Sequence, residues 1–269
     1  MKKWAVLTLV IIMSVFAIYP ILYILSVSLQ GQNAFQVQTL FAGALSAENY
    51  RQLIFETDFL KWLRNSCLIS GAVTLFSVAL SSCAGYGLSR IKGSNQRWLL
   101  MSLMTTQMFP ATMLLLPFFI ILSKLGLLNH FAGLFLVYSS TALPFNISQM
   151  KGWYDTLPRE LEEAAVLDGC SLWQTFMKII LPLSAPALVI SGLFSFLAAW
   201  SEYAIAAVVL QDPDLYTLPL GLKSFQSSLA TQWGLYAAAA LLVSLPVLAV
   251  FISISRYLVS GLTLGSVKG

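Results

Sequence analysis

Six stretches of this chain, residues 4–29, 67–88, 98–123, 131–150, 183–210 and 233–255, run for about twenty residues or more with scarcely a charge among them. Only the fifth holds a charged residue, Glu202. A helix needs about 20 mostly apolar residues to cross a hydrocarbon layer roughly 30 Å thick, and every stretch meets that length. Inside lipid the backbone N–H and C=O groups must be satisfied within the protein, which leaves helices or closed barrels. A barrel would show short segments alternating apolar and polar residues, a pattern absent here. The chain is therefore expected to be an all-α membrane protein with six transmembrane helices. Its composition, 58% hydrophobic and 10% charged, excludes an ordinary soluble domain, in which about a quarter of residues are charged.

The basic residues indicate which way the spans run. If spans alternate, Lys2, Lys3, Arg90, Lys92, Arg97, Lys151, Arg159, Lys178, Arg256 and Lys268 share one side, and Arg51, Lys61, Arg64, Lys124 and Lys223 the other, ten against five. Lysine and arginine accumulate in cytoplasmic loops, so both termini are expected inside. The net charge of +4 then reflects topology, and no nucleic-acid partner is expected. Lys2 and Lys3 before an apolar run also fit a secretory signal, but the run is longer than a signal core and no small-residue cleavage site follows. It reads as an uncleaved first span. Cys67, Cys83 and Cys170 lack paired spacing and read as small buried apolar residues. His130, the single histidine, has no partners at metal-ligand or triad spacing, so no metal site and no catalytic residue are expected.

Along the chain three parts are expected: 1–60, a first transmembrane helix and external segment; 61–256, a core with spans two to six and a large loop at 151–182; and 257–269, a cytoplasmic tail. Residues 46–64 interleave Tyr50, Leu53, Phe55, Phe59, Trp62 and Leu63 with charges, which predicts an amphipathic helix. It either lies on the outer membrane surface or packs on the bundle. The external segment 211–232 carries turn signals at Asp212-Pro213-Asp214 and Leu218-Pro219-Leu220-Gly221. Pro20, Pro110, Pro117, Pro144, Pro186 and Pro246 read as kinks in or near spans. An ionisable group in an apolar span is a candidate functional site, and Glu202 is read as a structural or gating residue ahead of a direct substrate contact. Asn146, Ser148, Gln149, Ser195 and Ser201 are candidate pathway-lining residues or makers of helix–helix hydrogen bonds.

Loop 151–182 carries the most information. It holds Asp155, Glu160, Glu162, Glu163 and Asp168, five of the chain's eleven acids. Pro158 suits a first helical turn and the glutamates favour its positive end. Leu161, Ala164, Ala165 and Asp168 fall on one face by helical spacing, and the alanines on an exposed face would let another backbone approach closely. Gly169 terminates the helix. Ser171 and Gln174 form a capping box for a second helix that Pro182 ends. A helix of about ten residues is roughly 15 Å long, enough to fill a groove on a partner, although an unpartnered hairpin resting on the bundle fits the same residues.

The literal spacing goes further. Glu163-Ala164-Ala165, three residues, Gly169, nine residues, then Ile179-Ile180-Leu181-Pro182 matches the EAA motif, and the chain resembles the permease subunits of bacterial binding-protein-dependent ABC importers. Leu157-Pro158-Arg159-Glu160-Leu161-Glu162-Glu163 with Asp168-Gly169 is similar to the carbohydrate branch, in particular its MalG-like subunit. So are Lys124-Leu125-Gly126-Leu127-Leu128-Asn129, Ala142-Leu143-Pro144-Phe145, Thr217-Leu218-Pro219-Leu220-Gly221-Leu222 and the closing Gly261-Leu262-Thr263-Leu264-Gly265-Ser266. One departure is Trp200-Ser201-Glu202-Tyr203, where that branch often has Trp-Asn-Glu-Phe.

The resemblance implies a type I importer permease fold in the bacterial cytoplasmic (inner) membrane, moving sugars by alternating access; polyol or glycerol phosphate is the alternative cargo. It implies a second permease subunit (MalF-like), two ATPase subunits (MalK-like) and an extracytoplasmic solute-binding protein. ATP and Mg2+ would sit on the ATPase subunits and no cofactor on this chain, whose sequence has no Walker-type phosphate loop. Segment 158–169 would be the coupling helix, with Glu160, Glu163, Ala164, Ala165, Asp168 and Gly169 as the ATPase-coupling residues. Asn146, Ser195, Ser201 and Glu202 would line or gate the pathway. Leu218, Pro219, Gly221 and Lys223 would meet the binding protein, and 261–269 would reach toward the ATPase interface. A stand-alone secondary transporter would instead show paired broken helices with intramembrane charges, and an intramembrane enzyme would need nucleophile–base or metal constellations in the spans.

Overall fold

A computed structural model describes residues 2–30, 40–41, 45–91, 93–226 and 232–264. Its elements are helical: α1 Lys2–Ser28, α2 Glu48–Phe55, α3 Phe59–Arg90, α4 Ser94–Gln107, α5 Leu115–Lys124, α6 Phe131–Tyr154, α7 Glu160–Leu167, α8 Leu172–Thr175, α9 Leu181–Leu183, α10 Ala185–Ser201, α11 Ala204–Val209, α12 Leu218–Leu222 and α13 Trp233–Leu264. No strand occurs among the described residues. Four helices are long and apolar enough to cross a membrane: Lys3–Ser28, Phe59–Arg90, Phe131–Tyr154 and Trp233–Ser255. Two further pairs are bent, by 89° between Gln96–Gln107 and Ala111–Lys124 and by 76° between Leu172–Leu183 and Ala185–Ser201. Six spans result if each bent pair counts as one.

The prolines divide into two kinds. Pro20, Pro144 and Pro246 lie inside unbroken helices, whereas Pro110 and Pro186 sit at the two bends. Pro110 disfavours helical backbone at Phe109, and the helix resumes as a short 3-10 turn at Ala111–Leu114. Pro186 occupies the first turn of α10, where its missing N–H costs nothing. Pro182 is expected to end the second loop helix, and the helical run stops one residue beyond it, at Leu183, where the 76° bend begins. A π-helical turn, Phe176–Ile180, precedes the proline and loosens the hydrogen-bond ladder at its ring.

Three other expectations change. Residues 46–64 are not one amphipathic helix: α2 ends at Phe55, and Phe59, Leu60, Trp62 and Leu63 open the long helix α3. Asn49 and Leu53 of α2 are buried, which is the packed alternative. The last helix continues to Leu264 rather than ending near Ser255; residues 265–269 of the expected tail lie outside the described residues. Cys67 and Cys83 are exposed and Cys170 half-buried, all as free thiols, so none of the three is fully buried.

The chain separates into two compact units, Met1–Arg64 with Thr217–Val247, and Asn65–Tyr216 with Leu248–Gly269. In the first, Asn49 donates to the backbone carbonyls of Ser28 (2.9 Å) and Gln30 (2.6 Å), and Tyr50 shares a hydrogen bond with Ser28. In the second, α6 packs against α4 and α10, and α11 against α5 and α6. Gly85 of α3 lets α6 approach so closely that a Cβ there would lie 2.8 Å from Cβ of Met150.

Candidate functional site

Helix α7 starts with Glu160, Glu162 and Glu163 in its first turn, where carboxylates meet the positive end of the helix dipole. It ends in a two-bond turn: the Cys170 N–H donates to the Ala165 carbonyl (2.9 Å) and the Gly169 N–H to that of Val166 (3.0 Å). This Schellman geometry needs a left-handed residue after the helix, and Gly169 has φ +86°. The expected capping box also forms. The Ser171 hydroxyl accepts from the Gln174 N–H while the Gln174 side chain accepts from the Ser171 N–H.

Packing beneath the loop is apolar. Met150, Tyr154, Phe176, Ile180 and Ala187 form a buried cluster, with Tyr86 and Trp153 against it. The rings of Tyr86 and Phe176 lie 4.9 Å apart. That cluster seats the π turn and so fixes where α7 and α8 stand above it.

A polar network then ties α7 down. Arg90, the last residue of α3, forms an ion pair with Glu162 and donates from Nε to its Oε1 (2.6 Å). The Tyr86 hydroxyl donates to Oε2 (2.8 Å), so both carboxylate oxygens are occupied. Arg90 Nη1 also donates to the Tyr154 carbonyl (3.2 Å) and to Ser89 Oγ (2.8 Å), and Ser89 Oγ donates to Asp155 Oδ1 (2.6 Å). Lys151 pairs with Asp155 at 2.5 Å. Burial pushes the Asp155 carboxyl up, but hydrogen bonds from Lys151 and Ser89, with the Lys151 charge, outweigh it and hold the group below its ordinary value.

This anchoring decides which way α7 faces. Glu162 and Ala165, three residues apart, point inward. The expectation that both alanines lie on the exposed face therefore holds for Ala164 only; Ala165 is 3% exposed. Glu160, Glu163, Ala164, Asp168 and Gly169 are exposed. Beside them stand uncovered apolar side chains: Leu167 is 88% exposed, Leu172 73% and Trp173 63%. Glu162, Arg90, Tyr86, Ser89 and Asp155 were not among the expected site residues. The sign available in the sequence was Arg90 closing the second apolar stretch on the same expected side as the acidic loop.

The other expected residues divide. Glu202 lies between α10 and α11, its Oε1 accepting the Ile205 N–H (2.9 Å) and its carbonyl accepting from the Tyr138 hydroxyl (3.2 Å). It lines a cavity of about 200 Å³ with Tyr138, Thr141, Ala142 and Ala111. A second cavity of about 330 Å³ shares Thr141 and Ala111 and adds Gln107, Ser140 and Phe109. Asn146 and Ser195 line neither: they are buried and joined by a 2.7 Å hydrogen bond between α6 and α10. Ser201 is exposed, its hydroxyl turned back on the Leu197 carbonyl.

In segment 211–232, expected to be external, Leu218 and Gly221 are buried, which removes them from any contact surface, while Pro219 is half-buried and Lys223 exposed. Gly221 packs face-on against Trp62, where a Cβ would fall 2.1 Å from the indole. Residues 227–231 of the segment lie outside the described residues. Asn129 fastens its start, with Oδ1 accepting from the N–H groups of Gln211 and Asp212 (both 2.9 Å). No cluster of potential metal ligands occurs among the described residues.

Comparison with known proteins follows the same lines. Residues 77–263 match the family described as binding-protein-dependent transport system inner membrane component. The chain is 33% identical to the maltodextrin transport system permease protein MdxG of Bacillus subtilis, over 96% of this chain and 93% of that one. It is 33% identical to the diacetylchitobiose uptake system permease protein DasC of Streptomyces coelicolor, over 85% and 83%. It is 32% identical to the maltose/maltodextrin transport system permease protein MalG of Escherichia coli, over 93% and 90%. Its fold matches a chain of a bacterial ABC transporter involved in import of the acidic polysaccharide alginate, with TM-score 0.81 at 23% identity, over 95% and 96%.

Proposed function

This chain belongs to the binding-protein-dependent transport system inner membrane components, and from that premise we propose that it is the permease subunit of an ATP-driven carbohydrate importer. The observation that carries the reading is α7: a short acidic helix, fixed from below by Glu162, with Glu160, Glu163, Ala164 and Leu167 left uncovered. A surface with that much exposed apolar area on an ordered helix suits a protein partner. The partner is an ATPase subunit, present in two copies, which holds ATP and Mg2+ while this chain binds neither. A second permease subunit completes the pore, and an extracytoplasmic binding protein delivers the solute.

Three relatives at about this similarity carry maltodextrin, maltose or diacetylchitobiose in their names, so the cargo is a sugar or short oligosaccharide. The paired cavities at Glu202 and Gln107 are the part of this chain assigned to the solute path. Lys223 and Pro219 remain as contacts for the binding protein.

The test is reconstitution of the chain with its sister permease, ATPase and binding protein in liposomes. Maltodextrin or a chitin disaccharide should stimulate ATP hydrolysis and enter the lumen together with it. Uptake that proceeds without the ATPase would establish a stand-alone transporter instead, and stimulation by a polyol or glycerol phosphate but by no sugar would replace the cargo.

A further inference from the structure

We infer that Glu162 and Arg90 form a latch that carries force between α7 and the membrane helices, distinct from the residues that dock the ATPase; this rests on the reading of α7 as the coupling helix. Three features support it. The pair spans 72 residues of sequence and joins α7 to the end of α3, a helix long and apolar enough to cross the membrane. Arg90 also reaches the carbonyl of Tyr154, the last residue of α6. One guanidinium thus binds the loop helix and two long helices at once.

The second feature is geometry. Glu162 uses both oxygens, one on Arg90 and one on Tyr86, and the guanidinium lies 5.3 Å from the centre of the Tyr86 ring. A forked guanidinium and a carboxylate held at two points resist rotation as well as separation. The third is burial. The two side chains are 17% and 16% exposed, so the pair is screened less by salt than the surface pairs Arg51–Glu48 and Lys61–Asp58. Adjacent residues have opposite tasks: Glu162 faces the permease, and Glu163 faces outward to the ATPase.

Apolar packing alone offers a weaker grip on α7. Of its residues Ala165 is buried, and its larger apolar side chains, Leu161, Val166 and Leu167, are exposed. Movement imposed on α7 therefore passes to α3 and α6 through this pair, through the longer bond from Arg159 at the start of α7 to the Ser89 carbonyl (3.4 Å), and through the backbone on either side of the helix.

The experiment is made on the full reconstituted complex and compares Glu162→Gln, Arg90→Ala, Arg90→Lys and Glu163→Lys by two readouts: co-purification of the ATPase, and solute transported per ATP hydrolysed. Glu162→Gln and Arg90→Ala should co-purify the ATPase within about twofold of the original chain. Transport per ATP should fall about fivefold, within the range for residues on a coupling network, while hydrolysis continues. Arg90→Lys, which keeps the charge but loses the fork, should fall between. If Arg90→Ala fails to accumulate in the membrane, Glu162→Gln alone decides, since it changes charge at constant shape. An unchanged transport-to-hydrolysis ratio in Glu162→Gln overturns the latch, and so does loss of the ATPase from that variant, which would make Glu162 a docking residue. Glu163→Lys that still binds the ATPase overturns the coupling-helix reading itself, a separate result.

Discussion

Segments 160–173 and 211–226 treat their larger apolar residues in opposite ways. In the first, Leu167, Leu172 and Trp173 stand in the open. In the second, Leu218, Leu220 and Phe225 are buried, with Phe225 against Trp62 at 5.8 Å between ring centres. The glycines show the same contrast. At Gly169 nothing lies within 4 Å of a hypothetical Cβ, and the residue is required by its backbone angle; at Gly221 the backbone is helical and the residue is required by space. One segment is covered by its own chain, and the other leaves its apolar side chains open, as docking on the proposed ATPase partner requires.

That contrast can be broken or sharpened by substitution. The largest effect is expected at Gly221→Val, which would drive a branched side chain into the Trp62 indole. Overpacking of this kind costs up to about 3 kcal/mol or more, and a large drop in thermal unfolding temperature in detergent should report it, with little left to compare in binding. Next is Leu167→Asp, which should leave the unfolding temperature in place and weaken ATPase association by about 2 kcal/mol, the scale of an interface anchor. Titration of the ATPase against nanodisc-embedded protein would measure this; an unchanged affinity would mean that the exposed apolar face is not the docking surface.

Gly169→Ala should be milder, since the methyl meets no neighbour and the cost is about 1 kcal/mol of left-handed backbone. It should appear in local hydrogen exchange of the α7 C-terminal turn rather than in global unfolding. The smallest effect concerns pH. Because the folded Asp155 carboxyl is held below its ordinary value, its stabilisation is present above about pH 4, the unfolded range, and is lost as pH falls through the folded value. The stability difference between the original chain and Asp155→Asn should therefore shrink toward zero on acidification, while a difference that grows would contradict the Ser89–Asp155–Lys151 arrangement.

What was legible in the sequence was local. The left-handed turn at Gly169 and the Ser171–Gln174 capping box depend on residues within a few positions of one another, and both form; of the six apolar stretches four lie in single long helices and two in bent or broken ones. The facing of α7 was not legible, because it is decided by Arg90, 72 residues away in sequence; helical spacing grouped Ala164 with Ala165, and the anchor at Glu162 separates them. Asn146 and Ser195 read in the sequence either as pathway-lining residues or as makers of helix–helix hydrogen bonds, and the second holds: the Asn146 amide donates to Ser195 Oγ between α6 and α10 across 49 residues of sequence, a pairing that spacing alone does not reveal. The burial of Gly221 was not legible for a similar reason, since the Trp62 ring against it belongs to α3, far away in sequence.

The π-helical turn Phe176–Ile180 has a consequence for reading any variant of this loop. Relative to an α-helix it amounts to one added residue, and each residue is worth about 100° of azimuth. The turn therefore acts as a phase shifter within the helical run Leu172–Leu183. The side chains of Leu181, Pro182 and Leu183 are clocked to bearings that uniform α-helical counting from Ser171 would misassign, up to the break at Ser184 where the 76° bend begins. Removing a single residue from this turn would leave composition and hydropathy almost untouched, yet it would turn Leu181–Leu183, and with them the entry into α10, relative to α8.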